Sequence, residues 1–132
     1  MGLPSTKKST KLRHYVSWFE IPVLNLVRAV GFYNFIYGIK METTESGGYA
    51  MAIFPADHGI GGALVAGEGS IPSETGTLVY LNAGKDMSSI LGRVEHAGGR
   101  IILEKTLISE ESGYFALFID TEGNKLALHS KN

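Results

Sequence analysis

The hydrophobic pattern of the chain changes at Tyr15, where a polar N-terminal stretch ends. From Tyr15 to Val23 the chain is rich in β-branched and aromatic residues, which predicts a strand. Asn25 can cap a following helix, in which apolar residues recur at three- and four-residue spacing until Gly38. The first half then continues with three further predicted strands, separated by turn residues, at 39–44, 49–54 and 62–66. This half therefore predicts the order β-α-β-β-β.

The second half predicts the same order after a link at 67–76 that is rich in Gly, Ser and Pro. A strand at 77–82 precedes Asp86, which can cap a second helix that ends at Gly98-Gly99. Its remaining strands are predicted at 100–105, 114–119 and 125–130.

The two halves also match in their letters. Gly48–Phe54 aligns with Gly113–Ile119, which makes Tyr49 and Tyr114 equivalent. A helix covers only one face of its sheet, so we expect the other face to meet the sheet of the other half across a cleft lined by alternate residues. We predict an α+β fold of two tandem βαβββ modules whose curved mixed sheets form a cleft. Its predicted parts are a disordered basic tail at 1–14 and a single domain at 15–131, divided into module one at 15–66, the link at 67–76 and module two at 77–131.

Composition narrows the function classes. At 132 residues and 44% hydrophobic content the chain is one globular domain. It has no cysteine, which excludes disulfides and thiol catalysis, and its apolar runs are too short to span a bilayer. We therefore expect a cytoplasmic protein with no membrane partner. Four basic residues lie in the first 13, so the remainder is acidic and we expect no nucleic-acid partner.

Several stretches carry a family resemblance. Ile21–Leu26, the Phe32-Tyr33 pair and Gly38 form one group, and Gly113–Ala116 with Asp120–Asn124 form the other. Together they resemble the vicinal oxygen chelate superfamily, which includes glyoxalase I, bleomycin-resistance proteins and extradiol dioxygenases. The resemblance covers residues 15–131 and implies paired βαβββ modules, usually in a homodimer. In enzymes of this superfamily a divalent metal sits in the cleft, held by His, Glu or Gln side chains.

The positions that the resemblance assigns to metal ligands carry other residues here. They are the first and last strands of each module, and the corresponding residues are Trp18, Ala63, Thr77 and Ala127. None of these is a His, Glu or Gln, and the indole N–H of a tryptophan cannot ligate a metal. We therefore expect no metal cofactor, with a weakly bound divalent ion as the alternative.

The alternation of side chains along a strand predicts what lines the cleft instead. Glu20 and Pro22 follow Trp18, Val65 follows Ala63, Val79 and Leu81 follow Thr77, and Lys125 and His129 flank Ala127. The result is an apolar cleft with two polar anchors, which is typical of a small-molecule pocket. The predicted ligand-binding residues are Trp18, Glu20, Ala63, Val65, Thr77, Val79, Ala127 and His129.

Glu20 and His129 are the candidate catalytic residues. Glu20 could be a general base or the anchor of a cationic or hydroxylated ligand, and His129 could be an acid/base group or an anchor. Each could instead form a purely structural hydrogen bond. Trp18 could stack on an aromatic ligand or fill the space that a metal would occupy.

Three functions remain open on this sequence. The first is a metal-free, homodimeric protein that binds a small apolar or aromatic molecule in the cleft. The second is an enzyme, either a lyase or isomerase that uses Glu20 and His129, or a dioxygenase-type enzyme with relocated metal ligands. The third is a subunit whose dimer surface matters more than its cleft. The sequence favours the first.

Overall fold

The computed structural model describes residues 11–132 and contains two βαβββ units in chain order. The first unit consists of β1 Trp18–Pro22, α1 Leu26–Tyr37, β2 Glu42–Ser46, β3 Tyr49–Ile53 and β4 Gly61–Ala66. The second consists of β5 Tyr80–Asn82, α2 Ser88–Arg93, β6 Arg100–Ser109, β7 Gly113–Ile119 and β8 Lys125–Ser130. The predicted α+β class and the two tandem modules are confirmed. The tail prediction falls mostly on residues 1–10, which lie outside the described residues.

Each module forms its own four-stranded mixed sheet. The strand orders are β1-β4-β3-β2 and β5-β8-β7-β6. In each sheet the first strand of the module runs parallel to the last, and the other pairs are antiparallel. Within residues 11–132, no strand of one sheet pairs with a strand of the other.

Both helices and both sheets contribute to one buried core. Phe32 of α1 packs in the first module, and its ring is also 6.0 Å from the ring of Phe118 on β7. The hydroxyl of Tyr33, also on α1, donates to Asp120 at the end of β7 over 2.8 Å. Residues from both sheets, such as Leu64 and Leu128, belong to the same buried cluster. The opposite face of each sheet, which we call its open face, carries the alternate side chains and points away from this core.

The two helices differ in length because their ends differ. The Asn25 side chain accepts a hydrogen bond from the backbone N–H of Arg28, and Gly38 ends α1 in a left-handed conformation with φ of 65°. For α2, the predicted cap Asp86 lies one residue too early, and Met87 occupies the cap position with no side-chain hydrogen bond to the helix. Within residues 11–132, no helix is long and apolar enough to cross a membrane.

Asp86 is still strongly hydrogen-bonded. Its carboxylate accepts from the hydroxyl and backbone N–H of Ser88 and from Lys105 Nζ. These donors favour the charged form and lower the pKa of Asp86 to about 2. The residue therefore stabilises the turn that precedes α2 rather than the helix itself.

Candidate functional site

The open face of the first sheet carries the residues predicted for it. Trp18, Glu20 and Pro22 lie opposite Gly61, Ala63 and Val65 in the parallel β1–β4 pair. Residues that lie opposite each other in such a pair project to the same side of the sheet, and the alternate residues Ile21 and Leu64 are in the core. The shared face of Trp18, Glu20, Ala63 and Val65 is therefore confirmed.

On the open face of the second sheet, the residues that β5 contributes lie one position away from those predicted. Tyr80 lies opposite Ala127, and Asn82 lies opposite His129. Val79 instead packs against the core, so the prediction that Thr77, Val79 and Leu81 share a face with Ala127 is wrong. A shift of one residue in register moves every side chain of a strand to the other face, and the sequence alone does not fix the register of β5.

A similar shift affects the internal repeat. Ala52 lies opposite Leu64, and Ala116 lies opposite Leu128, so these two alanines are structural equivalents. Tyr114 consequently packs against the core, whereas Tyr49 is exposed on the open face and donates its hydroxyl to the Glu68 carbonyl. The equivalence of the two tyrosines, predicted from letter matching, is off by one residue.

Trp18 and Glu20 form a pair on the first open face. The indole Nε1–H of Trp18 donates to the Glu20 carboxylate over 3.3 Å, and the tryptophan is 45% exposed. The structure therefore presents an accessible aromatic surface with a carboxylate at its edge. An aromatic face beside a negative charge suits a planar ligand that carries a cation or a hydrogen-bond donor.

His129 lies on the second open face, next to two aromatic side chains. Its Nε2 lies 2.6 Å from the carbonyl oxygen of Ser112, so Nε2 supplies the proton of this hydrogen bond. Phe115 lies opposite His129, and the Phe115 ring is 6.3 Å from that of Tyr80, which is 51% exposed. Glu20 and His129 sit on different sheets, and each has a hydrogen-bond partner on its own sheet or next to it.

A small pocket connects the edges of the two sheets. It has a volume of about 230 Å³ and is lined by Glu20, Thr77, Val79 and Lys125, together with Ser73 of the link. Three of the predicted ligand-binding residues therefore meet here. The Glu20 carboxylate and the Lys125 ammonium give the wall of this pocket one charge of each sign.

The ligand positions implied by the resemblance do not fit a divalent metal. Since Glu20 lies opposite Ala63 as Tyr80 lies opposite Ala127, the second-module counterpart of Trp18 is Leu78 rather than Thr77. An indole, two methyl groups and an isobutyl group offer no imidazole, carboxylate or amide oxygen. Among residues 11–132, no three or more His, Asp or Glu side chains are grouped to hold a metal ion.

The sequence interpretation missed a buried polar segment at Asp120–Asn124, which we call the polar turn. The Glu122 side chain is fully buried, and its Oε1 accepts from the backbone N–H groups of Leu24 and Asn25 at 2.9 and 2.8 Å. Arg28 Nε donates to Oε2 over 2.7 Å. The polar turn of module two therefore caps the first helix of module one. A turn with two carboxylates was visible in the sequence, but its burial was not.

Other atoms of the polar turn are equally well bonded. Asp120 Oδ1 accepts from the backbone N–H groups of Glu122 and Asn124, and Asn124 Nδ2 donates to the Pro22 carbonyl over 2.7 Å. Burial raises the pKa of Glu122, but the hydrogen bonds from Arg28, Asn25, Thr121 and Leu24 outweigh it, so the pKa lies below its ordinary value. Glu122 is thus held as a carboxylate and fixes the two modules to each other.

Comparisons with known proteins give a consistent fold. No protein family model matches the chain, and no curated protein matches it. Among solved structures, glyoxalase I from Leishmania major matches with a TM-score of 0.65 at 17% identity, over 89% of this chain and 87% of that one.

Two further structures extend the comparison. A glyoxalase/bleomycin resistance protein/dioxygenase family enzyme from Burkholderia phytofirmans PsJN matches with a TM-score of 0.64 at 15% identity, over 88% of this chain and 98% of that one. TnmS3, an antibiotic binding protein from Streptomyces sp. CB03234, matches with a TM-score of 0.61 at 19% identity, over 93% of this chain and all of that one, 100%. At these identities the similarity establishes the fold and leaves the activity open. The chain has the vicinal oxygen chelate fold.

Proposed function

We propose that this protein is a metal-free binding protein that holds a small apolar or aromatic molecule against its open faces. The observation that carries the proposal is the accessible Trp18 indole with the Glu20 carboxylate at its edge, on a face that also carries the buried residues Ala63 and Val65. Few polar anchors on an apolar surface are the usual chemistry of a small-molecule site. The similarity in fold to an antibiotic binding protein, TnmS3, supports the same interpretation.

We further propose that the protein works as a homodimer. The two open faces point away from the shared core and expose Trp18 and Tyr80, large aromatic side chains that a protein surface rarely leaves uncovered together. A second copy would place the first open face of one chain against the second open face of the other. Glu20 and His129 would then lie on opposite walls of one cleft, as anchors for a single ligand.

Trp18 offers a direct test, because it is the only tryptophan of the chain. Its fluorescence therefore reports on the first open face alone. We expect saturable quenching by proflavine, a planar aromatic cation, and weaker quenching by naphthalene-2-sulfonate, a planar anion. Glu20→Gln should weaken proflavine binding up to about fivefold, the range of an exposed charge interaction.

The matched control is Glu45→Gln, which makes the same charge change on β2 at a position opposite Ala50, on the helix-facing side of the sheet. It should leave the titration unchanged. Non-saturable quenching, or equal effects of the two variants, would contradict the proposed site. Light scattering tests the dimer separately, since a monomer at all concentrations would exclude the shared cleft.

Metal analysis and turnover address the enzyme alternative. We expect no stoichiometric divalent metal in protein purified without a tag, and no thermal stabilisation by added divalent ions. Retention of proflavine by a variant carrying both Glu20→Gln and His129→Ala would remove both residues from the ligand site. Turnover that either substitution abolishes would instead favour a lyase or isomerase.

A further inference from the structure

The two modules meet at two equivalent seams, and the larger of the pockets described beside them lies at the second. At the first seam, the polar turn of module two packs on the end of β1 and the start of α1. At the second seam, the β3–β4 connection at 54–60 faces the end of β5. Here the structure leaves a pocket of about 740 Å³, which we call the seam pocket.

The walls of the seam pocket are mainly apolar. Phe19 and Phe54 form one wall, with their ring centroids 5.5 Å apart, and Ile39 and Ile60 extend it. Phe19 can lie flat on β4 because Gly62 has no Cβ, which would otherwise meet the Phe19 ring at about 2.5 Å. Gly62 thus shapes this wall of the pocket.

The polar groups of the seam pocket define what could bind there. The Tyr37 hydroxyl already donates to the Asn82 carbonyl over 2.8 Å, so it supplies no further proton. Among the residues that the structure describes around the pocket there is no lysine or arginine, one imidazole, His14, and one carboxylate, Asp57. Its side chain is 95% exposed, at the mouth.

We propose that the seam pocket is a second binding site, distinct from the first open face, for a small apolar molecule that carries one cationic group. The apolar part occupies the space beside Phe19 and Phe54, and the cation lies near Asp57 at the mouth. The volume is within the range of small-molecule sites, and the charge at the mouth opposes an anion.

The test uses the neutral fluorescent probe N-phenyl-1-naphthylamine and two competitors of equal chain length. We expect one probe to bind per chain, and octylammonium to displace it at a concentration at least about threefold lower than octanoate, the difference expected from one exposed charge. Asp57→Asn should remove that difference without changing the affinity for the probe. Absence of probe binding, or a preference for octanoate, would overturn the proposal.

Two lysine variants locate the site. Ile60→Lys places a cation in the pocket wall and should weaken probe binding about tenfold or more. Val27→Lys makes a similar change at an exposed position of α1 outside the pocket and should leave binding unchanged. Equal binding by wild type and Ile60→Lys would overturn the proposal. If Ile60→Lys does not fold, the competitor preference and its loss in Asp57→Asn decide the question.

Trp18→Ala separates this site from the proposed function. Trp18 lies on the first open face and does not line the seam pocket. The variant should lose proflavine binding and retain probe binding. Loss of both in Trp18→Ala would mean that the probe occupies the open face, which would overturn the seam pocket as a separate site.

Discussion

The polar turn at Asp120–Asn124 and the β3–β4 connection occupy equivalent places in the two modules but contact the opposite module differently. Glu122 is buried and bonded to the start of α1, whereas Asp57 and His58 are almost fully exposed and bond each other. The two helices α1 and α2 also differ in length. The helix capped by Asn25 and Glu122, α1, has 12 residues, and α2, which has no side-chain cap, has 6.

This difference shows what a buried carboxylate requires. Removing Glu122 from water is costly, and the cost is offset only because the side chain accepts from two backbone N–H groups, the Arg28 guanidinium and the Thr121 hydroxyl. Asp57 keeps its hydration and needs no such partners. Module one is therefore anchored at one seam by a specific polar network, while the other seam keeps a pocket.

The largest effect on this comparison is expected from Glu122→Ala. The substitution leaves the N–H groups of Leu24 and Asn25 without their acceptor at a partly buried place and removes the inter-module cap of α1. We expect a loss of about 3 kcal/mol in the free energy of unfolding, measured by urea denaturation. A loss below about 1 kcal/mol would mean that water replaces the carboxylate and that the polar turn does not hold the modules together.

Tyr33→Phe should have the next largest effect. The Tyr33 side chain is fully buried and donates to Asp120 Oδ2, so the variant keeps the ring but deprives the carboxylate of one donor. We expect a loss of about 1.5 kcal/mol, since Asn124 Nδ2 remains as a partner at 3.1 Å. In a Glu122→Ala background the cost should be smaller, because the two carboxylates belong to one network. Strict additivity in this double-mutant cycle would contradict the coupling.

The sequence predicts those features of the fold that depend on residues close together in the chain. Periodicity and turn residues predicted each of the ten elements described within residues 11–132, and the Asn25 cap and Gly38 end of α1 follow directly from residue chemistry. The register of β5 against β8 depends on contacts between distant parts of the chain. The sequence therefore placed Val79 rather than Tyr80 beside Ala127.

The packing of the helices on the sheets also depends on contacts between distant parts of the chain. A periodic pattern shows which side of a helix is buried but not which elements cover it, so the contacts of Phe32 and Tyr33 with the second module could not be foreseen. The Trp18–Glu20 face was predictable because it needs only alternation within one strand and its parallel neighbour. The polar turn was not, since acidic turn residues are usually solvated and only its tertiary neighbours make Asp120 and Glu122 buried.

Acid titration should give a smaller effect than either substitution. The folded-state pKa of Glu122 lies below its unfolded value of 4.5, so its contribution to stability is complete above that pH and is lost as the pH falls through the folded pKa. We expect the difference in Tm between wild type and Glu122→Gln to narrow as the pH is lowered from about 5 to about 3. The other carboxylates titrate in both proteins, so comparing wild type with Glu122→Gln cancels their effect on Tm. A difference that widens on acidification would contradict the assigned sign.

The smallest effect is expected from Asp57→Ala, at the equivalent place in the other seam. Asp57 is exposed and bonds only the adjacent His58, which adopts a positive φ of 60° that strains a residue other than glycine. Removing the carboxylate should leave the urea midpoint unchanged, since hydration already satisfied it and no buried donor loses an acceptor. His58→Gly is the more informative variant, because it relieves the backbone strain in the same connection. It should raise the urea midpoint slightly. If Asp57→Ala instead destabilised the fold as much as Glu122→Ala, both seams would hold the modules together. The proposed difference between the two seams would then be wrong.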